Sequence, residues 1–286
     1  IIKFNSLIIS FLFLSTMKFK NLEDRMLYLR SLTDYKLIPN DYVLIMLDGR
    51  SFSSTIKRYF KKPFDDTFIN IMNETALYLC NNVQGCKFAY VQSDEISLIL
   101  TDFETPETDS FFGYRLEKIL SLCASIATSK FNQLMTIEAI NRCNKDTYNK
   151  DKISNLIMDM KLHQFDCKAW NVSSYNDIFA WLQYRQNDCE RNSKQQTARA
   201  YLSHKECTGK QADEQISVLK DKYNIDWNDF DDGKKYGRFI YKEEVHMRSE
   251  QFGEFIRDKF VVHNAWLLRD ENGKKNFEKL SKIPQK

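Results

Sequence analysis

The chain has 286 residues, and its 42 basic and 39 acidic side chains give a formal net charge of +3. A hydrophobic content of 43% and an aromatic content of 14% exclude a disordered protein, and the length allows one large domain or two small ones. Because the net charge is small, nucleic acid must be bound through local basic patches. Seven cysteines without a C-x-x-C pair, and only four histidines, argue against a disulfide framework and a zinc site. They indicate a reducing compartment, the cytoplasm, with the mitochondrion as the alternative.

The first sixteen residues differ from the rest. The apolar run from Leu7 to Leu14 is too short to span a bilayer, and no small-residue cleavage site follows it. A single basic residue, Lys3, precedes this run, which argues against a mitochondrial leader. We therefore expect residues 1–16 to be a leader or a mis-assigned start, and we expect no membrane span.

The first acidic motif follows a short apolar run. Residues Met17 to Arg30 predict a helix, and the run Val43 to Leu47 then predicts a strand buried on both faces. This strand ends in Asp48-Gly49-Arg50, a turn signal that places a carboxylate at the rim of a sheet. A turn with no chemical role is the alternative.

A basic segment and a helix come next. The run Lys57 to Lys62 carries interleaved aromatics, and it predicts a solvated loop, with phosphate contact as the alternative. Pro63 and Asp65 then begin a helix whose apolar face includes Phe68 and Leu79.

A hairpin brings the second acidic motif. The strands Lys87–Val91 and Ile96–Leu100 are joined by a tight turn that contains Asp94. If these strands lie beside the strand of Asp48, the two carboxylates meet at one rim and repel each other unless a cation lies between them. Mg²⁺ is suited to such oxygen ligands together with substrate phosphates, which points to phosphoryl or nucleotidyl transfer. Two unrelated surface turns are the alternative.

The remaining elements complete an α/β arrangement. A long amphipathic helix around Ile119 and a polar insertion at Asn141 to Asp159 precede a further strand at Phe165 to Trp170. The order strand, helix, hairpin, helix and strand predicts a ferredoxin-like α/β (α+β) fold. A helix capped by Ser174 follows, and its polar continuation is either a solvated surface or a site for RNA. A short strand is predicted within 226–241, and the segment from Ser249 onward has no clear pattern.

Five ordered motifs resemble those of the tRNA-His guanylyltransferase family of 3′-to-5′ nucleotidyltransferases. They are Asp48-Gly49-Arg50-Ser51-Phe52, Lys62-Pro63-Phe64-Asp65, Ser93-Asp94-Glu95, Phe165-Asp166 and Arg185-Gln186-x-Asp188-Cys189. The resemblance implies an antiparallel polymerase-palm-like domain over residues 17–172. It also implies a helical C-terminal region over 173–286 that contacts tRNA, and a homotetramer.

The resemblance further implies site residues. It implies that Asp48, the Gly49 carbonyl and Asp94 hold two Mg²⁺ ions, and that Glu95 joins the two aspartates as a catalytic residue. It also implies that ATP and GTP are substrates, and that one of them activates the RNA 5′ end. The implied nucleotide-binding set is Asp48, Gly49, Arg50, Ser51, Phe52, Ser53, Lys62, Asp65, Ser93 and Asp94. The implied contacts to RNA or triphosphate are Lys168, Arg185, Arg191, Asn192 and Lys194.

Departures from the family pattern favour one branch. Lys168 stands where arginine is usual, so a cation is kept but paired hydrogen-bond geometry is lost. This chain has Glu190-Arg191-Asn192 where family members that act on tRNA-His carry His-Ile-Asn. Arg191-Asn192-Ser193 and the segment 198–206 resemble instead the branch that repairs truncated tRNA 5′ ends. We therefore predict template-dependent 3′-to-5′ nucleotide addition that repairs tRNA 5′ ends. The alternatives are addition of a single G to tRNA-His, a nucleotidyl cyclase, and a non-catalytic RNA-binding relative.

Overall fold

The computed structural model describes residues 18–105, 107–144, 161–249 and 253–285. The expected leader at residues 1–16 lies outside these ranges, as does most of the insertion predicted at Asn141 to Asp159. The chain divides into two units, residues 1–36 and residues 37–286. In the first unit, helix α1 (Leu22–Ser31) begins after Asn21, whose side chain accepts a hydrogen bond from the backbone of Asp24 at 2.8 Å.

A six-stranded antiparallel sheet forms the centre of the second unit. Its order is β4-β1-β3-β2-β5-β6, and every neighbouring pair runs antiparallel. The strands are β1 (Tyr42–Gly49), β2 (Cys86–Gln92), β3 (Glu95–Leu100), β4 (Phe165–Val172), β5 (Arg238–Ser249) and β6 (Gly253–Asn264).

Helices flank this sheet and connect its strands. They are α2 (Phe52–Tyr59), α3 (Asp66–Asn82), α4 (Leu116–Asn144), α5 (Tyr175–Tyr201), α6 (His204–Cys207), α7 (Ala212–Tyr223), α8 (Asp232–Tyr236) and α9 (Glu271–Leu280). None of the described helices is long and apolar enough to cross a membrane.

Apolar side chains cover both faces of the sheet around β1, as the continuous run in β1 predicts. Val43, Ile45 and Leu47 face one way and pack in a core with α3 and α4, whereas Tyr42 and Leu44 face the other way toward α5 and α9. Helices α3 and α5, which lie on opposite faces of the sheet, are capped as expected. Asp65 accepts backbone hydrogen bonds at the start of α3, and Ser174 accepts one at the start of α5.

The strand order confirms the ferredoxin-like prediction. Strands β1 to β4 occur in the order β4-β1-β3-β2, with helices between β1 and β2 and between β3 and β4. Beyond residue 172 the helices α5 to α9 are joined by two long strands, of which the sequence predicted a short part of β5 alone. The basic run from Lys57 is not entirely a loop, since α2 continues to Tyr59.

Candidate active site

The turns that carry Asp48 and Asp94 meet at one rim of the sheet. Asp48 is the penultimate residue of β1. Its partner in β3 is Glu95, the residue that follows Asp94. The backbone N–H of Gly49 donates to the carbonyl of Asp94 at 3.1 Å. The sequence left open whether the two turns meet, and the structure brings them together.

Close packing of the backbone shapes the turn after β1. A Cβ placed on Gly49 would lie 2.6 Å from the buried ring of Phe52, so no larger residue fits without movement of the ring. Ser51, with a left-handed φ of 59°, immediately precedes α2. The requirement for glycine therefore comes from the ring of Phe52, which lies in the apolar core rather than in contact with solvent.

The rim is negative and partly desolvated. Burial, together with the charge of Asp48, raises the pKa of Asp94 to about 6. Burial and the charge of Asp166 raise the pKa of Asp48, while Lys168 and Arg185 act in the opposite direction. Asp166 is the partner of Asp48 across β1 and β4, so a third carboxylate adjoins the pair. The sequence analysis included Asp166 in a motif but gave it no role.

The donor set suits magnesium. Among the described residues, no group of three or more His, Cys, Asp and Glu side chains is arranged to hold a metal ion. Magnesium needs fewer protein ligands, because it is usually held by one or two carboxylates plus substrate phosphates and water. Asp48 and Asp94 fit that requirement, because two partly buried carboxylates at one rim favour a cation between them.

Glu95 binds an arginine on α5. Its carboxylate is buried and accepts two hydrogen bonds from Arg185, from Nε at 2.7 Å and from Nη2 at 2.5 Å. A second carboxylate, that of Asp188, accepts from Nη1 of the same arginine at 2.9 Å. In this structure Glu95 therefore links β3 to α5, and its catalytic role stays a prediction.

A pocket of about 280 Å³ opens beside the carboxylate pair. One wall is apolar and includes Ile56, Phe64 and Phe68, while the other includes polar residues of α5. The predicted site residues that line the pocket are Asp48, Asp65, Ser93, Asp94, Glu95, Arg185 and Asn192. The predicted residues outside its walls are Gly49, Arg50, Ser51, Phe52, Ser53, Lys62, Lys168, Arg191 and Lys194.

Asp65 also stabilises the backbone around the start of α3. It caps α3 through hydrogen bonds from the backbone N–H groups of Thr67 at 2.9 Å and Phe68 at 3.2 Å. It also accepts from the backbone N–H of Lys61 at 2.8 Å, which closes the segment between α2 and α3. The carboxylate thus holds the loop that forms one side of the pocket.

Acidic partners neutralise most of the predicted basic patch on α5. Lys194 contacts Glu190 at 2.8 Å and Asp213 at 2.6 Å. Arg191 pairs with Asp188, but its side chain remains 60% exposed. Of the three cations that the sequence singled out on this helix, Arg191 is the most accessible.

The sequence analysis missed two cations in the wall of the pocket. Arg238 is the first residue of β5, and Lys234 belongs to the short helix α8. Both lie about 140 to 190 positions along the chain from the two aspartates, and no local motif marks them. Sheet pairing of β5 with β2 brings them to the rim.

Comparison with known proteins identifies the family to which the chain belongs. The profile of the tRNAHis guanylyltransferase (Thg1) family matches residues 23–173. The uncharacterized protein R259 of Acanthamoeba polyphaga mimivirus is 28% identical over 231 residues, which cover 78% of this chain and 77% of that protein.

Two solved structures have a similar fold. A bacterial tRNA(His) guanylyltransferase (Thg1)-like protein in complex with ATP is 28% identical, with a TM-score of 0.74, and covers 91% of this chain and 97% of its own. A bacterial Thg1-like protein in complex with GTP is 26% identical, with a TM-score of 0.69. The match covers 92% of this chain and 99% of that chain. Because the family profile matches more than half of its residues, this chain belongs to the tRNAHis guanylyltransferase family of nucleotidyltransferases.

Proposed function

We propose that the protein adds nucleotides to the 5′ end of tRNA in the 3′-to-5′ direction, using the opposite strand as template. The observation that carries this proposal is the meeting of Asp48 and Asp94 at one rim of a ferredoxin-like sheet, beside a pocket. Membership of the family supplies the reaction class, and the similar structures with ATP and GTP support nucleoside triphosphates as substrates.

The rim is suited to charge neutralisation during transfer. Asp48 and Asp94 would hold Mg²⁺, which when bound stabilises negative charge on the reacting phosphates. Asp94 has to be ionised to act as a ligand, and its raised pKa means that it gains most from a cation. Lys168 and Arg185 moderate the charge of Asp48 from the other side.

The pocket is suited to one nucleotide. Its apolar wall offers surface for a base, and its polar wall offers the side-chain amides of Asn192 and Gln196 as donors to phosphate. In the first step of the proposed reaction, the 5′-monophosphate of the RNA attacks ATP or GTP. The RNA gains a nucleotidyl group, and pyrophosphate leaves. The 3′-hydroxyl of the next nucleotide then attacks the activated 5′-phosphate. AMP or GMP leaves, and the proton of the hydroxyl passes to water.

Glu190 favours repair of 5′ ends over addition of a single G to tRNA-His. It stands where members that act on tRNA-His carry histidine, and it is buried in ion pairs with Lys194 and Arg269. A carboxylate held in this way stabilises the fold. It can only accept hydrogen bonds, whereas an imidazole ring can both donate and accept them. Addition of G remains the second candidate, because the family takes its name from that reaction.

The remaining partners are proposals of the same kind. The exposed guanidinium of Arg191 offers a contact for tRNA phosphate on α5. A homotetramer that shares one tRNA between subunits, and a cytoplasmic location, complete the proposal.

The test is a 5′-extension assay. The substrates are a tRNA truncated at its 5′ end, full-length tRNA-His without its extra G, and a tRNA with an altered base opposite the first added position. We expect product that grows at the 5′ end with the base complementary to the template. Exclusive addition of G to tRNA-His would favour the second candidate, and 3′ growth or no growth would refute both. Asp48→Asn and Asp94→Asn serve as inactive controls.

A further inference from the structure

Arg238 is a buried cation in the wall of the pocket. Its side chain is 5% exposed, although the residue lines the same cavity as Asp48 and Asp94. Its Nε donates to Oδ1 of Asn73 at 3.0 Å, and its Nη1 donates to the carbonyl of Gly233 at 3.0 Å. Both acceptors are neutral. In the described parts of the chain, no carboxylate forms an ion pair with this guanidinium.

A buried guanidinium with no carboxylate in contact is unusual, and among the described residues Asp231 acts on Arg238 only at longer range. Taking a cation out of water is unfavourable unless an anion and hydrogen-bond acceptors replace the water. Burial lowers the pKa of Arg238, which is the expected sign for a cation in such surroundings. Two of its five N–H donors are used by the neutral acceptors, and Nη2 has no protein partner among the described residues.

The backbone holds Arg238 firmly in this position. Arg238 pairs with Val91 near the end of β2, two residues before the turn that contains Asp94. Gly237, with a φ of 85°, precedes it, and a Cβ there would lie 2.7 Å from the ring of Tyr90 and from the carbonyl of Val91. The tight approach of Gly237 to β2 therefore fixes where β5 starts, and with it the side chain of Arg238.

The distance to the carboxylate pair suits one extended ligand. Strands β1, β3, β2 and β5 are consecutive in the sheet, so Asp48 and Arg238 are three interstrand spacings apart, about 14 Å between Cα atoms. A nucleoside triphosphate and the arginine side chain together bridge that distance. The asparagine and carbonyl acceptors orient the guanidinium, and its remaining donors are left for the ligand.

We propose that Arg238 binds a phosphate group of the nucleoside triphosphate in the pocket and supplies the positive charge opposite the carboxylate rim. The inference rests on the proposed function, because it takes the nucleotide as the occupant of this pocket. A phosphate is a better partner than a base carbonyl, since an anion compensates the buried charge and a neutral acceptor does not. Arginine also matches phosphate geometry through paired N–H donors.

The experiment measures dissociation constants for guanosine, GMP, GDP and GTP, and for the adenosine series, with wild-type protein and Arg238→Met. Lys235→Met is the control, because Lys235 is also buried and lies three residues before Arg238, but its ammonium contacts the Asn228 carbonyl and the Asp232 carboxylate outside the pocket. We expect Arg238→Met to lose about tenfold to a hundredfold affinity from the first nucleotide that contains the contacted phosphate. Guanosine and adenosine should bind the variant as they bind wild type, and the control should behave as wild type throughout.

Two outcomes would overturn the inference. The first is an affinity ratio that is the same for nucleosides and triphosphates, which would mean a base contact or a purely structural role. The second is an unchanged affinity for every ligand. Thermal melting checks that each variant folds. If Arg238→Met does not fold, Arg238→Lys replaces it, because lysine retains the charge without the paired donors. We expect that variant, too, to lose affinity for phosphorylated ligands only.

The 5′-extension assay separates this inference from the proposed function. Wild-type protein that binds triphosphates through Arg238 but does not extend tRNA would refute the proposed reaction and leave the phosphate contact intact. Wild-type protein that extends tRNA, with Arg238→Met showing the same nucleotide affinities and the same rate, would refute the phosphate contact alone.

Discussion

Replacing Asp94 with asparagine should stabilise the metal-free protein at neutral pH. Burial, with the charge of Asp48 adding to it, raises the pKa of Asp94 from its ordinary 3.8 to about 6. Asparagine has nearly the same shape and never ionises, so Asp94→Asn removes the unfavourable charge. The same change removes a proposed metal ligand, and we expect it to abolish nucleotide addition.

The sign follows from proton linkage. Between pH 3.8 and about 6 the folded state binds more protons at Asp94 than the unfolded state does, so the free energy of unfolding falls as pH rises through this range. At 1.36 kcal/mol for each pKa unit, the complete effect is about 3 kcal/mol. Asp94 is half-buried, and solvent screening reduces this value, so we expect about 1 to 3 kcal/mol.

Urea denaturation in EDTA at several pH values between 4.5 and 8 measures this difference. The stability of Asp94→Asn relative to wild type should increase as pH rises toward 7 and then level off. Glu278→Gln, at an exposed position on α9, controls for the loss of one acidic charge. A difference between Asp94→Asn and wild type that does not change with pH would refute the reasoning. With Mg²⁺ and ATP present, wild type should gain stability and the variant should gain less.

Three further predictions concern packing and charge. Arg185→Met should destabilise the protein by about 3 to 5 kcal/mol, because it leaves Glu95 buried without a cation. Adding Glu95→Gln to this variant should restore part of the lost stability. Additive effects of the two substitutions in urea denaturation would contradict the pairing. Gly49→Ala should cost about 1 to 3 kcal/mol through its contact with the ring of Phe52, and Phe52→Leu should relieve it in a melting experiment. Arg191→Gln should weaken tRNA binding and lower the slope of log affinity against log salt by about one; an unchanged slope would place Arg191 outside the interface.

Local patterns predicted the elements that hold the carboxylates. The apolar run of β1 is continuous because β1 is buried on both faces, and the turn after it ends at Gly49 for a packing reason. The hairpin around Asp94 has a short turn between two buried strands. What the run and the turn do not specify is which strands become neighbours. That β1 lies next to β3, and so Asp48 next to the Asp94 turn, depends on pairing between residues about fifty positions apart.

Strands β5 and β6 show why other parts were not predicted. Only residues Arg238 to Tyr241 of β5 pair with β2, and the rest of β5 pairs with β6 alone. Many side chains of this two-stranded extension are exposed on either face, so polar and apolar residues do not alternate as they do over a buried core. The period-2 signal is therefore weak, and the role of Arg238 at the start of β5 depends on pairing that is not visible in the sequence.

Charge on α5 shows how composition can mislead about a binding surface. The helix has several cations beside an acidic rim, and that composition suggests a patch for RNA. In the structure Arg185 is bound by Glu95, and Lys194 by Glu190. Such pairs fix α5 against the sheet and against neighbouring segments, but they leave little free positive charge. Cationic groups available to a ligand are better identified by the lack of a carboxylate partner, and by that criterion Arg238 is a stronger candidate than the basic residues along the helix.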